Sequence, residues 1–246
     1  MDNDIATSSL TLFVAVTLLL GCGGSDATSP STSASPPLSS GGRVYSTNFP
    51  LAESPISEKG NWINGQTVGL AWSDVITKGG VAIGTHSGTG LRGFDDSTAL
   101  LTGPWGPDQT VTATVHSVNQ VSGSIGEEVE IRLRSTLSAK SSTGYEVLFR
   151  AFKGADSYND IVRWNGSLND FTYLERRSGE KWGVTEGDVV KASMIGNLIT
   201  VYINDIQVLQ TTDDTYSTGN PGMGFYLAGA TGLNADYGFT NFTASD

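Results

Sequence analysis

Among its 246 residues the chain has one cysteine, two histidines and fourteen lysines and arginines. Because Cys22 stands alone, the chain has no internal disulfide and no cysteine metal site, and everything beyond it lacks a thiolate nucleophile. His86 and His116 lie thirty residues apart, without the spacing of zinc ligands, so a metal-hydrolase reading has no support. Acidic residues number 25, and the formal net charge is −11. That balance opposes the phosphate neutralisation on which nucleic-acid binding rests, so no nucleic-acid partner is expected. No long stretch repeats its apolar residues at a helical period. The apolar run Leu10 to Leu20 is shorter than the ~20 residues a membrane-spanning helix needs.

Glycine is abundant, at 31 residues, alongside many Ser, Thr and Asn. This composition suits a turn-dense β protein, and the stretch Glu186 to Leu227 shows it best. Val189–Ile195, Leu198–Ile203 and Ile206–Gln210 read as strands joined by Gly196-Asn197 and Asn204-Asp205. Such two-residue connections supply the positive φ of type I′ hairpin turns and make the three strands sheet neighbours. Ile199, Val201 and Ile203 fall on one face of the middle strand, with Leu198, Thr200 and Tyr202 on the other.

The same alternation recurs upstream and downstream. Val111, Ala113 and Val115 point inward from Gln109–Val118, and Val129, Ile131 and Leu133 point inward from Glu128–Ser135. Further strands are read at Val44–Phe49, Val68–Trp72, Gly80–Gly84, Asp96–Thr102, Tyr145–Phe152, Asp160–Trp164 and Phe171–Glu175. A strand at Tyr237–Thr243 closes the chain, with Tyr237, Phe239 and Asn241 on one face and Phe242 on the other. Trp62 and Ile63 plug into the core from a loop punctuated by Pro50, Pro55, Gly60 and Gly65. Twelve to fourteen short strands with regular turns predict an all-β, antiparallel sandwich.

The first 42 residues differ in kind. The apolar run ends in Leu19-Leu20-Gly21-Cys22, which resembles the lipobox of bacterial lipoproteins. The resemblance implies a signal peptide over 1–22, lipid on Cys22, and an exported protein anchored to the bacterial membrane, at the outer membrane or cell surface. Met1-Asp2-Asn3-Asp4 departs from the pattern, being acidic where such peptides carry positive charge. Residues 23–42 are Gly, Ser, Thr and Pro with few apolar groups and read as a disordered tether. Asp2, Asp4 and Asp26 are the only charges in 1–42, so residues 43–246 carry 14 basic and 22 acidic groups, net −8.

Over 43–246 the order of short signatures is informative. Phe49-Pro50-Leu51 and Gly60-Asn61-Trp62 come first, then Ile131-Arg132-Leu133-Arg134, Gly144-Tyr145-Glu146-Val147 and Val162-Arg163-Trp164-Asn165-Gly166. Gly187-Asp188, Gly219-Asn220-Pro221-Gly222 and an aromatic final strand follow. Together they resemble the concanavalin A-like lectin/glucanase superfamily, in particular bacterial laminin-G-like domains. The resemblance implies a jelly-roll sandwich. It does not select among lectins, binding modules, glycosidases and lyases, all of which use the fold.

Enzymatic readings find little support in the residues. Laminarinase-like enzymes on this fold carry Glu-x-Asp-x-x-Glu, whereas Glu128-Val129-Glu130-Ile131-Arg132-Leu133 brings no further acid into register. Glu127, Glu128 and Glu130 are therefore read as a charged solvent face, with Glu130 paired to neighbouring arginines. Alginate lyases need a Gln-x-His strand, and His116 lies instead in Thr114-Val115-His116. No cofactor is implied beyond a structural calcium of the kind this superfamily often holds. Asp95-Asp96 and Asp213-Asp214 are candidates for it, with turn capping the competing reading.

Arg132, Arg134, Arg163, Trp164 and Tyr202 are the candidate ligand-binding residues. Strand alternation places them on the face away from the core, where aromatic rings stack on sugars and guanidinium forks bind hydroxyls or carboxylates. In the competing reading Trp164 is core and the arginines pair with Glu130, Glu146 and Glu175. The expected function is non-catalytic binding of a polysaccharide or surface glycan, an acidic one if the basic face is the site. A polysaccharide-active lyase or hydrolase, and a protein-binding adhesion domain, are the alternatives.

Overall fold

The computed structural model describes residues 42–69, 72–86, 95–120, 122–123, 126–228 and 232–246. Cys22 and the linker 23–41 lie outside the described residues. Alternation of apolar and polar side chains produces fifteen strands among those described. The first eight are β1 (Val44–Thr47), β2 (Trp62–Asn64), β3 (Val75–Lys78), β4 (Val81–Gly84), β5 (Ser97–Leu101), β6 (Gln109–Ser117), β7 (Glu128–Ser138) and β8 (Ser141–Arg150). The rest are β9 (Tyr158–Gly166), β10 (Phe171–Ser178), β11 (Val189–Ile195), β12 (Leu198–Ile203), β13 (Ile206–Thr212), β14 (Asn220–Tyr226) and β15 (Tyr237–Ser245).

They form two antiparallel sheets. One has eight strands in the order β13-β12-β11-β6-β15-β4-β3, with β1 also on β15; the other has seven, β10-β9-β8-β7-β14-β5-β2. Each sheet turns one face inward. From the larger come Val111, Ala113, Val115, Ile199 and Val201; from the smaller, Val129, Ile131, Leu133, Val147 and Phe149. These side chains are almost entirely withdrawn from water, and their burial is the main force holding the sheets together. The molecule is an antiparallel β-sandwich of jelly-roll type.

The β11–β12–β13 meander forms as its turn residues dictate. Asn204 and Asp205 both have positive φ, at 51° and 62°, as a type I′ turn requires. Between β11 and β12 only Gly196 does, at 59°, which is the φ pattern of type II′. Three expectations need correcting. Val68 closes a 3-10 turn, Gln66–Val68, and not a strand. Ile63 is only half-buried, whereas Trp62 is in the core. Phe242 faces the core together with Tyr237 and Phe239, because a bulge between Phe239 and Asn241 inserts a residue and reverses the alternation.

Candidate functional site

The seven-stranded sheet keeps its apolar residues inward, so the intervening positions of β7, β8, β9 and β10 share its outer face. Register then brings acids from separate strands together. Glu130 lies opposite Gly224 on β14 and Leu148 on β8; Leu148 lies opposite Asp160 on β9, and Asp160 opposite Arg176 on β10. One residue pair along, Arg132, Glu146, Val162 and Tyr173 form a second row across the same strands. Above these rows is a pocket of about 490 Å³ whose lining includes Glu128, Glu146, Asp160, Trp164, Phe171 and Tyr173.

Beneath the pocket lies a buried ionic cluster centred on Arg132. Its guanidinium donates to Glu130 Oε2 at 2.7 Å and to Asp96 Oδ2 at 3.3 Å, and forms an ion pair with Glu146 Oε2 at 2.7 Å. Burial lowers the Arg132 pKa, but the charges of Glu146, Glu130 and Asp96 outweigh it and the net shift is upward. Burial, then the charge of Glu146, holds Asp96 and Glu130 well above the usual carboxylate range. One guanidinium balances one carboxylate, and its neighbours meet that shortage by keeping protons. Glu130 Oε1 is buried with no hydrogen-bond partner among the described residues.

Carboxylate oxygens of Asp96, Glu130 and Glu146 lie within 4.8 Å of one another, a donor set compatible with a hard cation such as calcium. A calcium ion would compete with Arg132 for the same oxygens. The second calcium candidate is engaged in turn capping and pairing, since Asp213 accepts from Tyr145 Oη at 2.7 Å, Thr215 N at 2.9 Å and Arg163 Nη1 at 2.5 Å.

The pocket wall is aromatic. Trp72, Trp164, Phe171 and Tyr173 form a chain of tilted and edge-on contacts, with successive ring centroids 4.5, 5.0 and 5.2 Å apart. Trp164 Nε1 donates to Glu146 Oε2 at 2.6 Å, which fixes the indole against the acid. At the rim the Arg176 guanidinium stacks 3.7 Å above the Tyr173 ring while Nε donates to Asp160 Oδ2 at 3.1 Å. Burial raises Asp160 despite that arginine. Glu128 accepts a hydrogen bond from Tyr158 Oη, and burial pushes its carboxyl up to about 8.

The five residues nominated from sequence do not share one surface. Arg132 and Trp164 both belong to the outer face of the seven-stranded sheet, and both are almost fully buried, at 1% and 2% exposure. Arg134 has φ 44° at a register shift between Leu133 and Thr136, and the extra residue swings it away from Arg132. It donates instead to the carbonyls of Pro107, Tyr216 and Gly196, tying loops together. Arg163 points opposite to its neighbours Val162 and Trp164 and pairs with Asp213. Tyr202 is on the other sheet, under Lys191. Glu130 is not on a solvent face but fully buried.

Sequence reading named Glu146 only as an arginine partner, which it is, and passed over Asp160 and the aromatics Tyr158, Phe171, Tyr173 and Tyr226 as pocket residues. Each alternates with core residues of its own strand, which was a usable signal. The pairing of those strands with one another was not available from sequence.

No family model matches the chain, and no curated protein does. Among solved structures, the metal-free carbohydrate recognition domain of Emp46p is similar over 81% of this chain and 95% of that one, at 14% identity and a TM-score of 0.51. The exoplasmic/lumenal domain of VIP36, in its Ca2+/Man-bound form, is similar over 75% of this chain and 82% of that one, at 12% identity and a TM-score of 0.51. Likeness at these identities shows the fold, the concanavalin A-like jelly roll.

Proposed function

We propose that this chain is a carbohydrate-binding domain whose ligand lies in the pocket on the outer face of the seven-stranded sheet. The observation that carries the reading is the joint lining of that pocket by an aromatic wall and by buried carboxyl groups. Rings such as Phe171 and Tyr173 offer flat apolar faces to the C–H surface of a sugar, and carboxyl groups exchange hydrogen bonds with its hydroxyls. The carbohydrate recognition domain of Emp46p and the Man-bound VIP36 domain, built on the same fold, support it.

The sign of the site differs from the arginine face read in the sequence. Asp96, Glu128, Glu146, Asp156 and Asp160 line the pocket against Arg176, and Arg132 below is already claimed by three acids. An anionic glycan would meet a lining in which acidic groups outnumber basic ones, so the ligand we infer is not acidic. With Cys22 lipidated and 23–42 as linker, the domain would act at the bacterial surface as a laminin-G-like module.

The test is retention of the full chain on a panel of immobilised neutral and acidic polysaccharides, scored also for released sugar. Retention on neutral polymers should fall about tenfold in Tyr173→Ala, the loss of one stacking platform. Tyr173 is 43% exposed, so the fold should survive the change. Retention only on acidic polymers, unaffected by Tyr173→Ala, would overturn the reading. One observation favours catalysis as a second reading: Glu128 holds its proton at neutral pH beside Glu146 and Asp160, as a general acid must. Chain cleavage lost in Glu128→Gln would establish it.

A further inference from the structure

We propose that the sugar this pocket takes carries primary amines, an ammonium group seating against the carboxyls of Glu128 and Asp160 within the aromatic wall. The inference rests on the carbohydrate reading above and narrows its ligand class. Three observations converge on it.

The first is the charge count around the cavity. Five carboxyl groups face one guanidinium, and that guanidinium, Arg176, belongs to the rim. The groups around Glu128 are Tyr158, Glu146, Arg150 and Asp160, so acids outnumber bases there too.

The second is a cation subsite the protein already fills for itself. Arg176 lies over the Tyr173 ring and against Asp160, the pairing of π-face and carboxylate that recognises an ammonium. Its side chain is 58% exposed while Asp160 is 3% exposed. The acid is therefore built into the floor, and its cation comes from a side chain free to swing into solvent. The same composition continues inward, with Tyr158 and Trp164 beside Glu128 and Glu146, and among the described residues no basic side chain lines that inner part.

The third is unmet demand for positive charge. Asp96, Glu128 and Glu146 present carboxyl groups to the pocket, and the guanidinium beneath them, Arg132, is shared among Asp96, Glu130 and Glu146. Directly below, Glu130 Oε1 has no hydrogen-bond partner among the described residues. A cation entering from solvent supplies positive charge where these carboxyl groups have one shared guanidinium. A neutral sugar can only share their hydrogen bonds.

Calorimetric titration of the full chain at neutral pH with three tetrasaccharides tests this: a glucosamine oligomer, its N-acetylated counterpart and a glucose oligomer. The glucosamine oligomer should bind at least about tenfold more tightly than the other two, as one charge-assisted hydrogen bond provides. Glu128→Gln and Asp160→Asn, which keep shape but cannot ionise, should each erase that preference, the glucosamine oligomer losing about tenfold more affinity than its N-acetylated counterpart. Equal affinity for all three sugars would overturn the amine inference and leave the carbohydrate reading standing. Absence of binding to any of them, by a chain whose melting transition shows it folded, would overturn both.

Discussion

Glu128 is a carboxyl whose environment, more than its chemistry, sets its charge. Its ordinary value of 4.5 is pushed up to about 8, first by burial and then by the charges of Glu146 and Asp160, against the Tyr158 hydrogen bond. Between those two values the folded protein holds a proton that the unfolded chain has released. Stability therefore falls as pH rises through this window, by about 1.4 kcal/mol per unit at the steepest, and the full cost is reached above about pH 8. Glu128→Gln keeps an acceptor for Tyr158 Oη and cannot titrate. Urea unfolding should show the variant gaining on the wild type from about pH 5 upward, with the gap levelling past about pH 8. A gap independent of pH would mean that the folded protein does not hold this carboxyl protonated. Arg132 is a different case: its three acidic contacts make it a structural counter-ion, and truncating it would leave buried carboxyls unbalanced.

At the scale of elements, β14 makes room for that counter-ion. Gly224 lies opposite Glu130, and a Cβ added there would come within 2.2 Å of Glu130 Oε2 and 3.2 Å of Arg132 Nε. Gly224→Ala should therefore displace the ion pair and destabilise the fold, by about 1–3 kcal/mol as overpacking does. Combining it with Glu130→Ala, which removes the obstructing atoms, should cost less than the two separate losses added together. Additive losses in chemical denaturation would mean that the glycine serves its strand and not the cluster. Legibility divides along the same line. Alternation within a strand was visible in Val111-Thr112-Ala113 or Ile199-Thr200-Val201, because core and solvent impose opposite chemistries on successive residues. The bulges after Leu133 and Phe239 were not visible, because one extra residue leaves no mark on composition, yet each reversed a face and moved Arg134 or Phe242. The pocket was hidden for a related reason. Glu130, Glu146 and Asp160 are ordinary outward residues of three separate strands, and only their register makes them neighbours.

For the whole molecule, the sequence describes an acidic domain behind a lipobox-like cysteine and a linker. Residues 23–42 contain one charged group and no aromatic residue, a composition that suits the proposed linker. A flexible chain of twenty residues would span roughly 25 Å on average. If Cys22 carries lipid and the domain binds glycan, as proposed, such a tether would let it sample surface ligands at high local concentration, so that modest affinity for one sugar unit would suffice. The proposed anchoring would depend on covalent lipid, because Leu10 to Leu20 is shorter than the ~20 apolar residues a spanning helix needs. Cys22→Ala should therefore abolish incorporation of labelled fatty acid and shift the protein from the membrane fraction to the soluble one. It should leave polysaccharide retention by the released protein unchanged, since the pocket lies more than seventy residues further along the chain. A mutant that stays in the membrane fraction without lipid label would show that the apolar run itself is the anchor. A mutant that is released but no longer binds glycan would show that the domain needs its tether for more than location.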